Sequence, residues 1–150
     1  DNGAPSAFTD QSYTLNITAA FRGWQRLNFG AGENDPDSAP TVDGEGDQVP
    51  NFIEYALRAN PRAATGFAFP LSFNGGQQAS CAIDVRDDDP ALTVTAEISN
   101  KVDFSNPTTV NAVPSDPTPN DGFKRLTFTD PIANSGGVHR FVRLKFSNGQ

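Results

Sequence analysis

The chain is predicted to be mainly β: a β-sandwich, immunoglobulin-like or jelly-roll-like, carrying an N-terminal strand and a helix–acidic loop–helix insertion. Three observations predict it. Residues 62–150 break into six short segments of strand character at sandwich spacing. Gly, Pro, Asn, Asp, Ser and Thr crowd the joints between those segments, where turns need them. Residues 19–61 instead carry helical periodicity, interrupted by an acidic stretch with oxygen-bearing side chains at regular intervals. A chain of 150 residues suits one structural unit. Its parts are an arm and strand at 1–18, the helix–loop–helix at 19–61 and the sandwich at 62–150.

Residues 1–10 are small and polar and read as an arm. Tyr13, Leu15 and Ile17 then alternate with Thr14, Asn16 and Thr18, the period of a half-buried strand. From 19 to 29 the period changes. Phe21, Trp24, Leu27 and Asn28 fall at helical spacing, and Gly30 follows as a stop. An acidic, proline-bearing loop runs from 33 to 50. A second helix, 51–59, gathers Phe52, Ile53, Ala56 and Leu57 on one apolar face. It is expected to end before Asn60-Pro61, because the residue preceding proline is pushed out of the helical region. Strands are expected at 67–73, 80–86, 91–98, 108–113, 123–129 and 140–146. Leu92, Val94, Ala96 and Ile98 alternate most cleanly, and Val142, Leu144 and Phe146 do the same near the end.

Composition narrows the function. A net charge of −7 and a pI near 4.5 argue against nucleic acid or an anionic membrane as partner. No apolar run approaches the roughly 20 residues that span a bilayer. The chain starts at Asp1 and contains no Met, as expected of a processed secretory protein found outside the cell or on its surface. The lone Cys81 forms no internal disulfide, and its alternating context makes it a small core residue.

The most informative stretch is 43–54. Asp43, Glu45, Asp47, Asn51 and Glu54 occupy positions 1, 3, 5, 9 and 12 of a twelve-residue window, with the Val49 carbonyl at position 7. Calcium explains that spacing. It is a hard cation taking six to eight oxygens at roughly 2.3–2.6 Å, so a short loop must turn carboxylates inward at alternate residues. A Glu from the following helix then closes the shell with both oxygens. The absence of His and Cys from the cluster argues against zinc or copper. Gln48 stands at position 6, where glycine is usual, while Gly44 and Gly46 put backbone freedom elsewhere in the loop. Extracellular calcium is abundant enough to fill even a loop of modest affinity.

Trp24…Leu27-Asn28-Phe29, then Asp43, Glu45 and Asp47, then Asn51-Phe52-Ile53-Glu54-Tyr55-Ala56-Leu57 and Asn60-Pro61, resemble a module of secreted proteins from Verrucomicrobia and Planctomycetes. In that module a loop of the type D-x-D-x-D-G-x-x-N-x-x-E-Y-A-L-G-x-D-P precedes a β-domain ending in R-F-x-R-L, which Arg140–Leu144 is similar to. The chain departs from the pattern at Gln48 and Arg58, where the module tends to have glycine. The resemblance implies calcium binding, export and an extracellular or cell-surface role, and it implies no reaction.

No catalytic motif stands out. The chain lacks H-E-x-x-H, G-x-S-x-G and any glycine-rich phosphate loop, and its single His139 opens the last expected strand. The expectation is a non-enzyme. Two non-catalytic readings stay open. In the first, the chain is the subunit of an extracellular filament, a head-to-tail homopolymer. The arm and strand of one copy, through Phe8, Tyr13, Leu15 and Ile17, add to the sheet of the next. In the second, that strand pairs within its own sandwich, and the chain is an ancillary module of a secreted protein that binds carbohydrate or protein. Asn16 opens the one N-glycosylation sequon, and the Ser/Thr-bearing joints at 105–109 and 115–118 are candidates for O-glycans.

Overall fold

The computed structural model describes residues 19–73, 78–115, 122–133 and 139–148. The expected strand with Phe8, Tyr13, Leu15 and Ile17, and the sequon at Asn16, lie outside the described residues. Among the described residues the chain is mainly β, with two antiparallel sheets and two short α-helices. The helices are α1 (Ala19–Asn28) and α2 (Asn51–Leu57), with 3-10 turns at Gly32–Asn34 and Pro36–Ser38 between them. The strands are β1 (Leu71–Phe73), β2 (Ala79–Arg86), β3 (Leu92–Ser99), β4 (Thr108–Asn111), β5 (Val113–Pro114), β6 (Phe123–Thr129) and β7 (Phe141–Asn148). One sheet has the order β1-β2-β6-β5 and the other β4-β3-β7.

Period-2 alternation builds the sheets. Cys81, Ile83 and Val85 of β2 are buried while their neighbours are more exposed; Leu92, Val94, Ala96 and Ile98 of β3 are buried too, though there Glu97 and Ser99 between and beyond them are also buried. Side chains of both sheets join Phe21, Trp24 and Tyr55 of the helices in a single buried cluster. Cys81 is 1 % exposed, and burial pushes its thiol up to about 11, so it is inert core.

Four elements differ from their expected form. The segment expected as a strand at 67–73 pairs only from Leu71, because Pro70 offers no N–H to a ladder. The stretch 108–113 divides at Ala112: β4 pairs with β3, whereas β5 pairs with β6 in the other sheet. Helix α1 stops at Asn28, whose side-chain amide donates to the Trp24 carbonyl at 2.8 Å while Arg62 Nε donates to the Asn28 carbonyl at 2.7 Å. Its buried face is Phe21, Trp24 and Gln25, and Leu27 is 87 % exposed. Helix α2 ends at Leu57, two residues before Ala59, because Arg58 turns left-handed (φ 63°) and the Ala59 N–H donates to the Glu54 carbonyl at 2.9 Å.

Candidate metal centre

The acidic loop winds around one carboxylate. Asp43 Oδ1 accepts from the Gly46 and Asp47 N–H groups at 2.8 and 3.1 Å, and its Oδ2 accepts from the Gln48 N–H at 2.8 Å. Reaching three successive amides requires the backbone to turn left-handed twice, at Gly46 (φ 78°) and at Gln48 (φ 71°). Gln48 therefore does what glycine does at that position, at a steric cost. Replacing Gln48 with Gly should stabilise the protein by about 0.5–1 kcal/mol, the relieved strain less the extra chain entropy of glycine. Urea melts at fixed calcium will read this directly, and a loss of stability would mean the Gln48 side chain has a role of its own.

The winding gathers ligand atoms of Asp43, Glu45 and Asp47 within 4.8 Å of one another. Asp47 divides its oxygens. Oδ1 accepts from the Val49 N–H at 2.9 Å, and Oδ2 accepts from the Thr65 and Gly66 N–H groups at 3.1 and 2.6 Å. The loop is thereby tied to the segment that leads into β1.

Glu54, on α2, is completely buried. Neither of its carboxylate oxygens has a hydrogen-bond partner among the described residues, and neither has either oxygen of Glu45. Burial, then the charge and close contact of Glu45, then the charges of Asp47 and Asp43, push the Glu54 carboxyl up to about 8. Asn51 is completely buried too. Its amide donates to the Asp37 and Ala39 carbonyls at 2.7 and 2.9 Å, while its Oδ1 has no partner among the described residues. Val49 is buried, with its N–H on Asp47.

Such an arrangement is costly for a protein alone. An unpaired buried carboxylate costs several kcal/mol, and here two of them face each other. A cation placed among these oxygens would offset that cost. The oxygens of Glu45, Glu54 and Asn51 that lack partners, with those of Asp43 and Asp47, form an all-oxygen set, which suits a hard ion and not zinc or copper. Asp43, Glu45 and Asp47 are brought together; Glu54 joins them through Glu45; Asn51 and Val49 flank them, buried in the loop and at the start of α2.

Contacts beyond the loop were not visible in its spacing. The Tyr55 hydroxyl donates to Asp89 Oδ2 at 2.8 Å, the Arg86 guanidinium lies 4.4 Å from the Tyr55 ring centre, and Arg86 Nε donates to the Tyr55 carbonyl at 3.2 Å. These contacts bolt the helix that carries Glu54 to β2 and to the turn after it. Trp24 is 8 % exposed and stacks on Phe21 at 5.4 Å between ring centres, so it is core and not a platform for a sugar. A cavity of about 280 Å³ beside the loop is lined by Val49, Leu57, Phe67 and Ile83, and its charged residue Asp84 is already held by Arg125 at 2.6 and 2.7 Å. That leaves little there to orient a ligand. The chain matches no known protein family, no curated protein and no solved structure.

Proposed function

We propose that the chain is a calcium-stabilised structural subunit of an extracellular filament or surface assembly, and not an enzyme. The observation that carries this reading is the pair of buried carboxylates, Glu45 and Glu54, without partners inside a wound acidic loop. Calcium held by Asp43, Glu45, Asp47, Asn51, Glu54 and the Val49 carbonyl would fix three things at once. These are the loop, helix α2 and, through Asp47, the segment entering β1. A clip of that kind stiffens a unit that bears mechanical or assembly contacts, and abundant extracellular calcium keeps it loaded. The two sheets, sharing one core, are read as an immunoglobulin-like or jelly-roll-like sandwich, with the helices and loop as its insertion.

Assembly is favoured over ligand capture because Trp24 and Tyr55 are spent inside the core. In this reading the alternating Tyr13, Leu15 and Ile17, with Phe8 ahead of them, add as a strand to a neighbouring subunit. Electron microscopy of the full chain in millimolar calcium is expected to show regular filaments, and removal of residues 1–18 to give soluble monomers. Dispersed full-length monomers would return the strand to its own sandwich and leave a calcium-clipped binding module. A misfolded truncation would point the same way.

A further inference from the structure

Inward-facing side chains should be buried, and on one flank of this protein they are not. Leu71 and Phe73 of β1 stand opposite Cys81 and Ala79, so they face the interior side of their sheet. Cys81 and Ala79 are 1 % and 7 % exposed, yet Leu71 and Phe73 are 47 % and 61 % exposed. The other sheet repeats the pattern. Val142 and Leu144 of β7 stand opposite the buried Ile98 and Ala96 but are themselves only partly buried.

The two rows, one exposed and one partly buried against the core, share a flank. β5 and β4 are edge strands of the two sheets, and the single residue Ala112 links them, so the chain itself closes that side. The opposite edges are β1 and β7. Helix α2 covers the Arg86 half of β2, where Arg86 meets the Tyr55 carbonyl, and β1 pairs only with the 79–81 half. The chain turns back through 87–91 between β2 and β3, so Ile98 and Val142 lie at the same end as Ala79 and Phe73. Among the described residues an apolar strip, exposed on β1 and partly buried on β7, therefore runs between β1 and the first half of β7, whose outer edge pairs with no described strand.

We propose that this strip is the acceptor for residues 13–17 of a second copy of the chain, which pairs with β7 and seats Tyr13, Leu15 and Ile17 over Leu71, Phe73, Val142 and Leu144. The inference rests on the filament reading above and names its joint. A five-residue extended segment spans about 13–17 Å, which matches the open half of an eight-residue strand. Direction favours a second copy over the same one. Helix α1 begins at Ala19, and its Phe21 packs on Tyr55 at 5.2 Å, at the Asp89 end of the sheets. Strand β7 also runs toward that end, since Asn148 stands opposite Leu92. The chain's own segment would have to pair parallel to β7 in a sheet that is otherwise antiparallel. A neighbour's segment is free to enter antiparallel, the pairing with the better hydrogen bonds.

The test is the full-length double variant Ile17→Cys/Leu144→Cys, treated in millimolar calcium with a short bis-maleimide; the buried Cys81 stays unreactive. A ladder of covalent multimers on a denaturing gel is the expected result. A cross-link confined to the monomer would overturn the proposal in favour of self-pairing. Absence of any cross-link in micrograph-verified filaments would place the joint elsewhere while leaving the filament reading intact. Absence of both filaments and cross-links would remove the two together. As a second readout, Leu144→Lys should abolish filaments without changing the calcium-dependent melting of the subunit, and filaments that persist would exclude β7 as the acceptor.

Discussion

Calcium is expected to raise the melting temperature of the wild type, and Glu54→Gln combined with Asp43→Asn is expected to abolish that rise. Calcium at a hundred times its dissociation constant should add about 2.7 kcal/mol, or about 5–10 °C for a chain of this size. The double variant should show none of it. Glu54→Gln alone should do something less intuitive in chelator: it should melt above the calcium-free wild type. The reason is that folding without calcium must either hold two facing buried carboxylate charges or protonate Glu54 well above its ordinary range, and the neutral amide is spared that cost. The pH dependence has a definite sign. The Glu54 carboxyl is raised from its ordinary 4.5 to about 8, so the stability tied to its protonated form is complete below about 4.5 and is lost as pH climbs through about 8. Calcium-free wild type should therefore weaken across that window, and Glu54→Gln should weaken less. Wild type and double variant melting together at every calcium concentration would show that the loop is not a site.

Local patterns were legible in the sequence; long-range partnerships were not. Strands β2, β3, β6 and β7 fall within a residue or two of their expected bounds, because a side-chain period of two is written directly in the chain. The clustering of Asp43, Glu45 and Asp47 follows the same short-range logic, since their spacing of two is written in the chain. Alternation is silent about partners, however. Thr108–Asn111 and Val113–Pro114 belong to different sheets, and nothing in their residue types marks Ala112 as the crossing. Leu27 fitted the helical stripe by type, but Gln25 occupies the buried place because Ser38, thirteen residues on, offers its carbonyl at 2.8 Å. The tie from Asp47 to Thr65 and Gly66, and that from Tyr55 to Asp89, likewise exist only once the chain has folded. Gln48 and Arg58 are silent in another way: both hold the left-handed backbone that favours glycine, at φ 71° and 63°, and their residue types do not announce it.

Asp130→Asn is expected to be among the most destabilising single substitutions outside the core. Asp130 is 1 % exposed and sits just after β6, where its N–H donates to the Ala79 carbonyl at 2.8 Å. Its carboxylate takes both forks of Arg140 at 2.6 and 2.7 Å and the Ile132 N–H at 2.9 Å. Burial alone would raise its carboxyl, but the Arg140 fork and the Ile132 amide outweigh burial and hold it below the ordinary 3.8. Breaking a buried pair strands the surviving charge, which costs about 3–5 kcal/mol. Urea unfolding should show a loss of that size for Asp130→Asn, most of it recovered when Arg140→Met is added. The Arg125–Asp84 pair has the same forked geometry but is far more exposed, so Asp84→Asn should change little. Comparable losses at both sites would mean that fork geometry, and not burial, sets the cost. Because the Asp130 shift is downward, its contribution is complete above about 3.8 and fades only as pH falls through the lower folded value. Acid should thus open the β6–β7 junction below the window in which Glu54 titrates, and the two carboxylates should report at opposite ends of one pH–stability curve.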